Sequence, residues 1–189
     1  MTETSRPGRK RSEISRQAIL AASIDIVHES GYSALSVEAI AKRAGTGKQT
    51  IYRWWPSKAD VAMEALADLA EARLGALDHG NLAEDMRALM RANFGIATDP
   101  QIRGLLQGLM AEAQLDSEFA ARFRTNFLER RRRSLGRVLV RARDRGELVP
   151  KVPLNVMVDA VLGAIWYRII AIPAPLDEAL ADHLLTLVR

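Results

Sequence analysis

Three observations predict an all-α fold. Apolar residues recur at separations of three and four along most of the chain, the spacing that lines one face of a helix. Alternation of apolar and polar residues with period two, the mark of a half-buried strand, has no useful length anywhere, and no internal repeat stands out. The breaks between periodic stretches fall at Gly, Pro and Asn, which end helices by tolerating left-handed angles or by lacking an N–H. About nine helices result.

The chain has 189 residues, enough for a small head and a larger helical body. It begins MTETSRPGRKR, which has no apolar run behind its basic residues and so does not read as a secretory leader. Arg6, Arg9, Lys10 and Arg11 form a basic arm. Such an arm serves either as a solubilising tail or as a contact to phosphates and the minor groove. The lack of cysteine excludes a disulfide framework, a thiol nucleophile and a thiolate metal site, and points to a reducing cytoplasm. The formal charge of +4 is uneven, with +5 in residues 1–58 and −1 in the remainder. A polyanion would meet that surplus at the N-terminal end.

A first helix is predicted from about Ser12 to Ser30, with the apolar residues Ala18, Ile19, Ala22, Ile26 and Val27 at helical spacing. Gly31 and Tyr32 end it, the ring filling a gap between helices and its hydroxyl expected to meet a polar partner. Val37, Ile40, Ala41 and Ala44 then form one stripe of a short second helix opened by Ser36 and closed by Gly45. The third helix follows at once, capped either by Thr46, which has capping-box spacing to Gln49, or by Gly47. Its Ile51 and Trp55, four apart, face inward, which turns Lys48, Gln49, Tyr52 and Arg53 outward. Pro56 stops it, and Ser57 with Asp60 opens the next helix.

Two short helices joined by a glycine turn, the second presenting amide, hydroxyl and cationic groups, have the form of a helix-turn-helix that enters the DNA major groove. Gln49 can pair bidentately with an adenine edge, Lys48 and Arg53 suit guanine or phosphate, and Thr50 suits a phosphate or a thymine methyl. Here the chain resembles the TetR family of bacterial transcriptional regulators. The resemblance rests on Gly31-Tyr32, Ser36, Ile40-Ala41, Ala44-Gly45, Thr50-Ile51-Tyr52 and Ser57-Lys58 after an aromatic, and covers about residues 12–60. Gly47 stands where the family usually has Ser or Thr, and Trp54-Trp55 replaces its commoner small-aromatic pair.

The body begins with a long helix over residues 58–79, with Val61, Ala62, Ala65, Leu66, Leu69, Ala72 and Ala76 inward. His79-Gly80-Asn81 breaks it. Helices follow over 82–97, over 100–116 after Pro100, and over 117–145, the last with Phe119, Phe123 and Phe127 on one face and an arginine-rich outer face. Arg130 to Arg133 with Arg137, Arg141, Arg143 and Arg145 read either as a second nucleic-acid surface or as a solvated face paired with acids. Residues 154–172 are apolar almost all round. Asp159 and Arg168 leave too short an uncharged run to cross a membrane, so a buried helix is expected, broken by Pro173 and Pro175 before a last amphipathic helix. The apolar excess of these two closing helices suggests that an identical chain covers them.

The resemblance implies an N-terminal DNA-binding domain at 1–56 and an effector-binding, dimerising domain at 57–189, working as a homodimer through the last two helices on double-stranded DNA with a palindromic operator. It also implies that Tyr52 and Lys58 hold phosphates, that Ser36 directs its helix N-terminus at another, and that Thr46, Lys48, Gln49, Thr50 and Arg53 approach bases or backbone. Met90, Phe94, Met110, Phe123, Phe127, Met157 and Trp166 are candidates for the wall of a pocket for a small apolar effector, expected at about 300–1,000 Å³, or are simply core. Catalysis is not expected. GTGKQT lacks the first glycine and the magnesium-binding hydroxyl of a phosphate-binding loop, and His28, His79 and His183 sit apart with no ligand spacing, so no metal or cofactor is expected. A helical adaptor whose head binds protein is the other class the sequence allows.

Overall fold

The computed structural model describes residues 7–73, 78–172 and 174–189, without the side chains of residues 7–11 and 73. Arg6, Ala76 and Pro173 lie outside the described residues, as do the side chains of Arg9, Lys10 and Arg11. The elements are α1 (Pro7–Ser30), a 3₁₀ turn (Tyr32–Ala34), α2 (Val37–Ala44), α3 (Lys48–Tyr52), α4 (Lys58–Arg73), α5 (Leu82–Ala97), α6 (Pro100–Leu115), α7 (Ser117–Phe123), a π turn (Arg124–Leu128), α8 (Glu129–Asp144), α9 (Leu154–Ile170) and α10 (Glu178–Val188). Because α7, the π turn and α8 run into one another, the described residues form nine helical rods and no strand.

Local chemistry sets the boundaries. Ser36, Asn81, Asp99, Asp116 and Asp177 each accept a hydrogen bond from a backbone N–H in the first turn of the helix they precede, and Pro100 occupies a first-turn position that needs no N–H. Gly45 closes α2 at φ 64°, in the left-handed region. Two expectations are corrected and one open choice is decided. Helix α1 is already formed at Pro7, well before Ser12. The cap of α3 is Gly47, and Thr46 continues the turn by donating its N–H to Ala41 O at 3.0 Å. The helix expected over 117–145 changes winding at residues 124–128, which keeps Phe119, Phe123 and Phe127 stacked, with successive centroids 5.8 and 5.2 Å apart.

One hydrophobic cluster runs from Ile19 to Val188. Helix α4 threads it, with Ala59, Val61, Ala62, Met63, Ala65, Leu66, Ala67 and Ala70 all buried, whereas Ala72, expected inward, is exposed. At the head α4 packs on α1, and in the body on α5, α6, α7 and the π turn. Helix α10 lies on α5, and α9 on α6 and α8. Most of the arginine-rich face pairs with acids or caps carbonyls: Arg130 with Glu71, Arg132 with Asp159, Arg141 and Arg145 with the buried Asp85, and Arg143 with Asp144. Burial alone would raise the Asp85 carboxyl, but hydrogen bonds from His79 and Arg141 hold it below the usual carboxylate range.

Head and body meet at Tyr32. Its ring lies so close to Gly108 of α6 that a Cβ there would sit 2.3 Å from Cδ1. Its hydroxyl, expected to find a polar partner, is buried without one, and burial beside Glu112 and Asp60 pushes it up to about 12. Alongside, Arg122 of α7 clasps the buried Asp60 of α4 through Nε at 2.7 Å and Nη2 at 3.2 Å. Gly104 lies one turn earlier on α6 with no atom within 4 Å of a Cβ. Helix propensity favours Ala over Gly by about 1 kcal/mol, and overpacking costs about 1–3 kcal/mol. Gly104→Ala is therefore expected to raise the urea midpoint and Gly108→Ala to lower it; equal shifts would show that Tyr32 yields freely.

Candidate nucleic-acid interface

Helix α3 has five residues, too few to be helical alone, so its position is set by what it buries. Ile51 is 0% exposed and Trp55 3%. The indole Nε1–H of Trp55 donates to Glu64 Oε2 at 2.6 Å, and Glu64 is held by Arg16 of α1, which also reaches Asp68 at 3.3 Å. One carboxylate of α4 thus joins the end of the reading segment to the helix behind it. Trp54 tilts against Trp55 with centroids 5.4 Å apart, and Ser57 closes the segment by accepting from the Asp60 N–H at 3.3 Å and donating to its carboxylate at 2.7 Å.

With Ile51 and Trp55 inside, Lys48, Gln49, Tyr52 and Arg53 are exposed, Tyr52 by 54%, and Thr46 and Thr50 are half-buried beside them. Lys48, Gln49, Tyr52 and Arg53 thus lie on the outer side of α3, which Lys48 links to α2 through Glu38. Ser36 is engaged as the α2 cap, its Oγ 3.1 Å from Ala39 N. Two of the cations are not free groups. Lys48 Nζ lies 2.8 Å from Glu38 Oε1 of α2, which raises the lysine and lowers the carboxylate. Lys58 Nζ sits 4.9 Å from the centroid of the Tyr32 ring. Glu38 was missed by attention to the cations alone; its place in the first turn of α2 is explained by the helix dipole, and only the tight turn at Gly45 brings it to Lys48.

The pocket candidates are dispersed. Phe127 and Trp166 line an interior void of about 50 Å³, and Met90 lines a neighbouring one of about 20 Å³. Phe123 meets Trp166 edge-on at 6.5 Å. Phe94 borders a groove of about 360 Å³ between α5 and α10, Met157 one of about 310 Å³ between α9 and α10, and Met110 is half-buried on α6. The spaces of effector size among the described residues are thus grooves, including about 700 Å³ between α8 and α9, and the interior is nearly filled. Among these residues no cluster of metal-ligating side chains occurs, and no helix is long and apolar enough to cross a membrane.

A glycine-turned pair of helices at the tip of an all-α body defines a helix-turn-helix protein. Residues 19–68 match the family described as "Bacterial regulatory proteins, tetR family", and residues 76–188 match "Tetracyclin repressor-like, C-terminal domain". The chain is 34% identical over 168 residues to the HTH-type transcriptional regulator YdeS of Bacillus subtilis (strain 168), covering 88% of this chain and 83% of that one. It is 28% identical to the DNA-binding transcriptional repressor TetR of Mycobacteroides abscessus, over 95% and 96% of the two chains. The solved structure of the TetR family transcription regulator SCO0332 superposes with a TM-score of 0.80 at 30% identity, over 91% and 94%. The chain belongs to the TetR family of transcriptional regulators, which bind DNA and are not enzymes.

Glu38 is the one carboxylate described at Lys48, and phosphates approaching that face must share the lysine with it. Glu38→Gln is expected to raise affinity for all duplexes several-fold at low salt, with the gain fading at high salt, in a fluorescence-anisotropy titration. Unchanged affinity would place phosphates elsewhere.

Proposed function

We propose that this regulator is a cytoplasmic repressor that binds a palindromic operator as a homodimer and leaves it when a small molecule occupies the body. Residues 1–56 act as the reading head and 57–189 as the effector and dimer body. The observation that supports the DNA reading is the face of α3: two side chains buried as anchors, and Gln49, Tyr52 and Arg53 turned towards solvent with Thr50 half-buried beside them. Gln49 reads a base, Thr46, Thr50 and Arg53 meet bases or backbone, and Tyr52, Lys58 and the α2 N-terminus at Ser36 hold phosphates. Two such heads must enter successive major grooves about 34–36 Å apart, or a modest multiple, so operator symmetry mirrors that of the dimer.

An apolar face supports dimerisation through the last two helices. Val156, Ala160, Gly163, Tyr167 and Ile170 follow one another at spacings of four and three along α9, all exposed, with Leu187 of α10 exposed by 62%. Release is explained by α4. Its Leu66 forms part of the wall of the larger interior void, so a molecule that widens this space displaces the rod that carries the head and changes the spacing between heads.

Selection from random duplex DNA is expected to return a two-fold symmetric site whose affinity falls steeply with salt; a flat salt response would favour a protein-binding head. On that site Gln49→Ala should relax preference at one base pair by about 1–3 kcal/mol, and Tyr52→Phe should weaken all sequences alike. Equal losses at every substituted base for Gln49→Ala would remove it as a base reader.

Gly163 tests the dimer face, because a Cβ there meets nothing within 4 Å in the single chain. Gly163→Arg is expected to keep its helical circular dichroism yet sediment as a monomer and lose operator binding. A variant that stays dimeric would move the interface off α9.

A further inference from the structure

Arg131 differs from the arginines on either side of it. Arg130 has Glu71 and Arg132 has Asp159, but among the described residues no carboxylate is within ion-pair distance of Arg131. Its guanidinium turns inward and lies 4.0 Å from the centroid of Phe127, between helices of the body. Burial lowers it to about 10, so it keeps its charge at neutral pH. Glu71, which pairs directly with Arg130, acts on Arg131 only at longer range, so this half-buried guanidinium has the Phe127 face but no carboxylate in contact. Such a placement is costly, and one aromatic face offsets only part of that cost.

The surroundings hold two small adjoining spaces that are partly open to solvent. The voids of about 50 and 20 Å³ share Asn93, Arg131 and Leu162 as a common wall. On one side lie Leu66, Ile96, Ala97, Leu106, Phe127, Ile165, Trp166 and Ile169, with no charged group but Arg131 itself. On the other lie Glu71 and Arg130, an exposed pair between α4 and α8 that marks the way to solvent. Asn93, which lines both spaces, donates its Nδ2–H to Leu89 O at 2.7 Å. Phe127 belongs to the π turn, a strained form of winding that occurs often at functional sites because it can shift register locally.

Building on the effector reading above, we propose that the effector is an amphipathic acid, whose single anionic head pairs with Arg131 while its apolar body parts Leu162 from Phe127 and Trp166 and presses on Leu66 of α4. The chemistry is that of a monoanion on a hydrocarbon or aromatic body. A neutral apolar molecule would leave the guanidinium with no anion in contact, and a polyanion would bring further charges towards Glu71, which already occupies Arg130. The head would also explain the position of Arg131, since a bidentate fork suits a carboxylate better than a point charge does.

The test uses the full chain and four probes, decanoate with decan-1-ol and 4-phenylbutyrate with 4-phenylbutan-1-ol, followed by isothermal titration calorimetry and by operator binding. Each acid or one of them is expected to bind about ten- to a hundredfold more tightly than its alcohol, as a charge-assisted pair in a buried site implies. The acid that binds tells a straight chain from an aromatic body. In Arg131→Met, which loses no ion pair and is checked for its melting temperature, acid and alcohol should bind alike; Arg131→Lys should keep part of the preference for the acid. Alcohols that bind the parent protein as well as acids do, or an acid preference that survives in Arg131→Met, would overturn the proposal. If those alcohols also release operator DNA, the effector reading stands without the anionic head. If no probe binds up to its solubility limit, the voids do not open and both readings fall.

Discussion

The burial of Ile51 and Trp55 is the constraint on which DNA reading depends. A segment of five helical residues cannot hold its own winding, so the direction in which Gln49 and Tyr52 point is set by the hydrophobic anchors beneath them and by the single hydrogen bond from the indole to Glu64. Glu64 sits on α4 and is gripped by Arg16 of α1, which makes the orientation of the reading face a property of three helices together. On the proposed function, a tilt of α4 would re-aim α3, because five helical residues have no winding of their own to absorb it.

Much of this was legible in the residues themselves. Period-3.6 spacing placed the helices, Gly45 and Pro56 bounded the reading segment, and the separation of Ile51 from Trp55 told which face is outside. What stayed hidden depended on contacts between elements distant in the chain. Lys48 and Lys58 read as open cations, but Glu38 and the Tyr32 ring occupy them, which only the folded turn makes possible. The hydroxyl of Tyr32 seemed to require a partner, yet the ring is held by Gly108 and Lys58, and the oxygen is carried along without one. The bulky residues of the body suggested one roomy pocket. They fill their space instead, because stacked phenylalanines and the T-shaped Trp166 close it, and composition says nothing about how rings interlock.

The winding change at residues 124–128 has the same status. No residue in Arg-Thr-Asn-Phe-Leu demands a π turn; it arises because three rings four apart drift around an α-helix and a widened turn brings the last back into line. That realignment lays Phe127 under Arg131, so a feature of packing determines which arginine of a long basic face is turned inwards. The neighbours, at most one turn away, find acids at the surface.

The side chains of α4 have a mechanical meaning. Ala59, Ala62, Ala65, Ala67 and Ala70 are all buried along the rod that joins the two halves of the molecule. Methyl groups make low ridges, so neighbouring helices are not keyed to this rod as they would be to leucine or phenylalanine, and a small axial glide requires few side chains to change rotamer. The ties are at its middle: Glu64 to Trp55 and Arg16 of the head, and Leu66, two residues on, in the core of the body. The low ridges alternate with a few keyed points, Asp60 under Arg122 and the buried Val61, Met63 and Leu66, so the rod's seat in the molecule rests on those residues.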